Sequence, residues 1–266
     1  MKLTLSQEEL KKCISNGNLI GLNNFEIGSQ LQPSSIDITL GGVGYLIPHR
    51  ALAPDTSIQE FCSQEALETL DLNNKVLLLK NQTYLIETDL EVNLNSSLCA
   101  KCSPKSSIGR IDVLVRAICS TNGVYDVIPH NQKGKIYLEI TPQSFNIIVQ
   151  KGIAMSQLRV FKESDNSSEN REFGRVLENS IKNIESYSLS KPVFEDDMLF
   201  LRLEINESIF GYVAKHTHKP IDLTKTYYYD SQDFFKPLRV DNKNNNKKCI
   251  TIEKNKFYIF HTKELI

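Results

Sequence analysis

Two stretches of this chain occur twice. Gly44-Tyr45 followed by His49 recurs as Gly211-Tyr212 followed by His216. Asn81-Gln-Thr-Tyr84-Leu-Ile-Glu-Thr88 recurs as Asn255-Lys-Phe-Tyr258-Ile-Phe-His-Thr262, in the same order and at nearly the same offset. An internal duplication constrains the fold strongly, because whatever the first copy builds, the second must be able to build in part. The second copy stops at Ile266, before the counterpart of Lys105–Arg110. It is therefore expected to lack that segment and the strands that would close it, and to associate through its apolar residues, Phe257, Ile259 and Phe260 among them. A chain of 266 residues can hold one large or two small domains. The expected division is a first domain over 1–162, a linker over 163–189 and a partial second copy over 190–266. The apolar-free run Glu163–Glu172 carries the linker expectation, and the Asn/Lys run Asp241–Lys248 reads as a second disordered loop.

Within the first copy the pattern favours sheet. Ser6 and Glu9 form a capping box for one helix over 6–16, with Leu10 and Ile14 on one face and Gly17 at its end. Ile36, Ile38 and Leu40 then alternate with Asp37 and Thr39, a strand with one buried face and Asp37 on the other. Further strands are expected at Lys75–Leu79, Thr83–Glu87, Val113–Cys119, Lys135–Ile140, Asn146–Val149 and Met155–Phe161. Short strands at irregular spacing, with polar turns between them, indicate an all-β barrel or jelly roll rather than βαβ units.

The formal net charge of -1 provides no global basic field, so nucleic acid is not an expected partner. No apolar run approaches the length of a membrane span. Six scattered cysteines and an opening without a signal-peptide pattern lead us to expect free thiols in a reducing cytoplasm.

The segment Lys101-Cys-Ser-Pro-Lys-Ser-Ser-Ile-Gly-Arg110 gathers two cations, Lys105 and Arg110, with the hydroxyls of Ser106 and Ser107 and with Gly109. Arginine grips phosphate oxygens with a fork, lysine adds a point charge, and glycine lets a backbone approach a ligand. The set suits an oligophosphate, although Ser/Lys/Gly runs are also common solvated turns. In Lys135-Ile-Tyr-Leu-Glu139-Ile the apolar residues face one way and Lys135, Tyr137 and Glu139 the other. Glu139 is then either a solvent-side glutamate or, if walled into a pocket, a general acid and base. Asp37 is read in the same two ways, its bland role being a pair with a local cation. Cys99-Ala-Lys-Cys102 has no second ligand pair at zinc spacing, and the zinc-deaminase signature is missing. His216 and His218 would share a face if they lay on a strand.

Taken together, Gln32-Pro-Ser-Ser-Ile-Asp37, Pro104-Lys-Ser-Ser-Ile-Gly-Arg110-Ile-Asp-Val113, Lys135-Ile-Tyr-Leu-Glu139-Ile and Gly152-Ile-Ala-Met-Ser-Gln157-Leu resemble the dCTP deaminases. These share a fold with the trimeric dUTPases, and the likeness is to the long, duplicated form. The resemblance implies a dUTPase-like distorted jelly roll or β-barrel, a trimer or pseudo-symmetric oligomer with sites between subunits, and zinc-independent hydrolytic deamination of dCTP to dUTP. By the same resemblance Glu139 matches the glutamate that activates water at C4 of cytosine. Ser106 matches the serine that positions this water, and Arg110 the arginine beside the site. Lys105, Ser107 and Arg110 match triphosphate-contacting positions, and Gln157 a nucleotide-binding one. Cys119 falls where the family has a small residue whose backbone helps hold the water. Asp126 best matches the sugar-binding aspartate, in a loop from Tyr125 to Gly134 longer than in short members. Mg²⁺ is expected to arrive with the triphosphate. Two other readings are a dUTP pyrophosphohydrolase, alone or as a bifunctional deaminase, and a non-catalytic nucleotide-binding or assembly subunit.

Overall fold

The computed structural model describes residues 2–22, 30–48, 57–163, 193–195, 198–204, 208–239 and 251–263. Of the expected linker only Glu163 is among them, and the run 241–248 and His49 lie outside the described residues. The chain divides into two units: Met1–Glu163 with Thr217–Tyr228, and Ser164–His216 with Tyr229–Ile266.

In the first unit, strands β1 (Lys2–Thr4), β2 (Leu19–Ile20), β3 (Ile36–Ile47), β4 (Glu68–Asp71), β5 (Val76–Leu78), β6 (Thr83–Asn93) and β7 (Leu98–Pro104) are followed by β8 (Val113–Cys119), β9 (Asn122–Tyr125), β10 (Val127–Ile128), β11 (Lys133–Pro142), β12 (Ile147–Val149) and β13 (Ala154–Glu163). Among the described residues the helices α1 (Gln7–Ser15), α2 (Ile58–Glu65) and the single turn α3 (Ser106–Gly109) interrupt them. α1 forms where its capping box does. The Ser6 amide donates to Glu9 Oε2 at 2.9 Å and the Glu9 amide to Ser6 Oγ at 3.4 Å, a device worth about 1 kcal/mol. Its buried face holds Leu10 and Cys13, with Ile14 only half-buried. The sequence pattern did not reveal α2, whose Ile58, Phe61 and Cys62 cover Ile47, Leu85, Ile118 and Tyr137 of the sheet.

The main sheet runs in the order β10-β7-β13-β3-β6-β11-β8-β9, with β1 pairing with β13, β2 with β6 and β4 with β3. Its two ends, β9 and β10, are separated in sequence by Asp126 alone. The Asp126 amide donates to Ala117 O on β8 at 2.8 Å, and its carbonyl accepts from the Cys102 amide on β7 at 2.9 Å. One residue therefore stitches the sheet into a nearly closed barrel, with a left-handed φ of 62° that aspartate tolerates better than most residues.

Closure buries both faces of the long strands, which corrects the expectation of one buried face for β3 and decides against a solvent-side Glu139. In β3, Asp37 is buried along with its apolar neighbours Ile36 and Ile38. In β11, Ile136, Tyr137, Leu138, Glu139 and Ile140 are all buried. Alternation marks a face, but both faces of these strands lie against other parts of the fold. The segment 217–228 adds strand β17 (Ile221–Asp222, numbered after β14–β16 of the second unit) parallel to β12, with Ile147 opposite Ile221. Lys75 Nζ bonds the buried Asp222 carboxylate at 2.9 Å.

The second unit contains β14 (Val193–Glu195) paired with β15 (Met198–Phe200), and β16 (Gly211–Ala214) flanked by β18 (Phe235–Leu238) and β19 (Tyr258–Phe260). Its pairing repeats that of the first. Gly44, Tyr45 and Leu46 oppose Ile86, Leu85 and Tyr84, while Gly211, Tyr212 and Val213 oppose Phe260, Ile259 and Tyr258. The Leu79 amide donates to Tyr84 Oη at 2.8 Å, and the Glu253 amide to Tyr258 Oη at 2.9 Å. Asn81 and Asn255 both adopt left-handed φ, 63° and 61°. His216 and His218 follow β16 and lie on no strand, so the face they would have shared does not exist.

Candidate active site

The candidate residues fall into two groups, each held by long-range pairing. The first surrounds Glu139. The β11 register places it opposite Leu85 of β6 and Arg116 of β8, and its side chain is only 3% exposed. Tyr125, on β9, donates its hydroxyl to Glu139 Oε2 at 2.5 Å. The Arg116 guanidinium lies 4.6 Å from the centre of the Tyr125 ring and its Nε donates to Asp126 Oδ2. Asp126 Oδ1 accepts from the Ala117 amide at 2.8 Å. A buried carboxylate, a phenol, a guanidinium and a second carboxylate thus form one connected chain across the β8–β9–β11 edge. Cys119 ends β8 nearby in the ladder, opposite Ile136, with its thiol buried and 3.6 Å from Thr121 Oγ1. Gly134 passes so close that an added Cβ would stand 2.7 Å from Ser120 Oγ and 3.0 Å from Cys119 Sγ. A side chain at position 134 would therefore require the Ser120, Thr121 and Cys119 side chains to shift.

The second group belongs to the Lys105–Arg110 turn. Pro104 ends β7, the Lys105 amide donates to Met155 O at 3.1 Å, and Ile108 is buried as the anchor of α3. Asp112, at φ 57°, terminates the turn and accepts from Ser144 Oγ at 2.6 Å. Anchored in this way, the turn holds Ser106, Ser107 and Arg110 exposed, and their side chains make no hydrogen bond or ion pair with a described residue. A Cβ at Gly109 would meet nothing within 4 Å, so nothing in the described chain requires glycine there. Lys105 turns inward and pairs with the buried Asp37 carboxylate, which also accepts from Gln157 Nε2 at 3.2 Å. Lys105, Asp37 and Gln157 are therefore brought together, on a turn and on the adjacent strands β3 and β13.

Two of these side chains escaped the sequence reading. Arg116 had a signal, being the only charge in Val113-Leu-Val-Arg-Ala-Ile-Cys119. Tyr125 had none, because its contact depends on a register no local pattern gives. Cys99 and Cys102 lie on β7 as buried free thiols. Burial, followed by the charges of Asp126 and Cys119, pushes the Cys102 thiol well up, which makes it inert rather than reactive. Among the described residues no three His, Cys, Asp or Glu side chains are grouped to hold a metal ion, and no helix is long and apolar enough to cross a membrane.

Residues 2–164 match the N-terminal domain of 2'-deoxycytidine 5'-triphosphate deaminase, and residues 175–266 match its C-terminal domain. The chain belongs to the dCTP deaminase family. A dCTP deaminase of Agrobacterium tumefaciens superposes with a TM-score of 0.82 at 25% identity, over 99% of this chain and 76% of that one. The dUMP-forming dCTP deaminase of Dictyoglomus thermophilum is 27% identical over 167 residues, 61% of this chain and 81% of the relative. That of Dictyoglomus turgidum is 27% identical over 119 residues, 43% of this chain and 60% of the relative. The barrel described above is the dUTPase-like fold of this deaminase family.

Proposed function

We propose that this chain hydrolyses dCTP to dUTP and ammonia, with Glu139 as the proton shuttle. The observation that carries the reading is a carboxylate 3% exposed on a rigid strand, held by a phenol and facing an arginine, in a chain of this family. Glu139 takes a proton from water as the water oxygen bonds to C4 of cytosine. The C4–N4 bond then breaks. One of the water's two protons ends on N3 and the other leaves with the amine as ammonia, so a single carboxylate serves as base and then as acid. Ser106 is assigned to positioning the water. Arg110, Lys105 and Ser107 are assigned to the triphosphate, with the exposure of Ser106, Ser107 and Arg110 suiting residues that meet a ligand or another subunit. Gln157 supports Lys105 through Asp37. The backbone at Cys119 helps to hold the water. Each Asp126 carboxylate oxygen keeps a second lone pair, so it can accept from a sugar hydroxyl without releasing the hairpin.

Mg²⁺ enters this reading with the nucleotide, bound by phosphate oxygens and water. We place the enzyme in the cytoplasm as a homo-oligomer, with sites completed between subunits. A second reading is favoured by the names of the two Dictyoglomus relatives: dUMP-forming turnover, in which water also attacks the α-phosphate and pyrophosphate leaves. Ammonia and pyrophosphate assays on dCTP and dUTP separate the two. Ammonia alone from dCTP supports the deaminase, both products support the dUMP-forming enzyme, and neither product refutes both.

A further inference from the structure

We propose that Tyr125 is a positioning residue for Glu139. This rests on the reading of Glu139 as the shuttle, and it concerns a side chain that takes no part in that chemistry. The hydroxyl donates to Glu139 Oε2. The phenol is itself braced. Its ring packs against the core cluster of Ile47, Leu85, Ile118 and Tyr137, and Arg116 stacks on it at 4.6 Å. Arg116 is fixed by Asp126, which in turn is fixed by the Ala117 amide and by the backbone bonds that close the barrel.

The arrangement explains a choice that the ladder alone does not. Arg116 is the residue directly opposite Glu139, and a guanidinium there could have clamped the carboxylate in a fork. Its Nε is engaged by Asp126 instead, and a phenol reaches Glu139 Oε2. A bidentate arginine would oppose protonation of the carboxylate, whereas a shuttle must be protonated and deprotonated in every turnover. A phenol can donate to the carboxylate and keep its place when the group is protonated, because its hydroxyl also accepts. Tyr125 thus fixes the plane of the carboxylate, and Arg116 acts through Tyr125. A carboxylate free to rotate spends less time aligned with its water, so the loss appears in turnover and not in binding.

The test replaces Tyr125 with Phe, which retains the ring, its packing and the Arg116 stack, and in parallel with a fluorinated tyrosine of altered donor strength. Tyr125→Phe is expected to lower kcat for dCTP by about 10-fold with KM changed by less than about 3-fold, and the fluorotyrosine protein is expected to shift kcat in the same assay. Infrared difference spectra between the parent and Glu139→Gln, recorded without nucleotide, are expected to show a Glu139 carboxylate band that moves in Tyr125→Phe. A Tyr125→Phe protein with parental kcat, or one whose kcat and KM fall together with its melting temperature, overturns the proposal. If the parent releases no ammonia from dCTP, the reading of Glu139 fails by itself. The infrared band then decides the contact: a band that moves upholds it and an unmoved band overturns it.

Discussion

Lys105 has two jobs in this account, and they can be separated. It neutralises Asp37, whose side chain is 6% exposed, while its own is 25% exposed, and it is assigned to the triphosphate. Lys105→Met keeps the aliphatic stem and removes the charge, leaving a buried carboxylate whose remaining donor among the described side chains is Gln157 Nε2, at 3.2 Å. Breaking a buried pair from one side costs about 3–5 kcal/mol, and the partial exposure of Lys105 places this case near about 3. For a unit of this size that is a fall in melting temperature of roughly 6–12 °C. The double variant Asp37→Asn/Lys105→Met no longer buries an unpaired charge and should recover all but about 1 kcal/mol. Denaturant unfolding of the parent, both singles and the double measures the coupling, and dCTP titration of the same four proteins measures the ligand role. The double should be stable yet bind dCTP about 10-fold more weakly than Asp37→Asn alone. Additive stabilities, with the double no better than Lys105→Met, would refute the buried-pair argument.

Burial alone would raise the Asp222 carboxyl, but bonds from Lys75 and Thr224 outweigh it and hold it at about 2. The stability this gives is present above the unfolded value near 3.9 and is lost as pH falls through about 2. The melting-temperature gap between parent and Asp222→Asn should therefore close between about pH 4 and 2. Burial, followed by the charge of Glu87, pushes the Cys62 thiol up to about 11. This thiol then holds its proton in the folded chain between about pH 8.5 and 11, where the unfolded chain loses it, so it contributes a fall in stability on the order of 2 kcal/mol across that window, and Cys62→Ala should make the alkaline fall shallower in unfolding titrations. A zinc chelator should leave ammonia release unchanged, whereas removing Mg²⁺ should raise the dCTP concentration needed for half-saturation.

What the sequence made legible was local. The Ser6 capping box and the strand Val113–Cys119 both follow from neighbours within a few residues. The repeat was legible as well, down to the paired tyrosines Tyr84 and Tyr258. What was not legible depends on closure. Alternation left Asp37 and Glu139 between a solvent-side and a buried reading; both are buried in a barrel that closes at Asp126, whose backbone bonds reach two distant strands. Tyr125 meets Glu139 only because β9 and β11 both flank β8. No periodicity encodes that adjacency. Lys105 was read as a ligand cation because its partner, Asp37, lies 68 residues away in sequence.

The central claim is that Glu139 moves the proton. Glu139→Gln preserves size and one hydrogen-bond acceptor for Tyr125 while removing the base. Measured side by side with the parent, ammonia release from dCTP should fall by roughly 10²–10⁴-fold, while dCTP affinity stays within about 3-fold by direct titration. A Glu139→Gln protein that turns over dCTP at the parental rate would contradict the account.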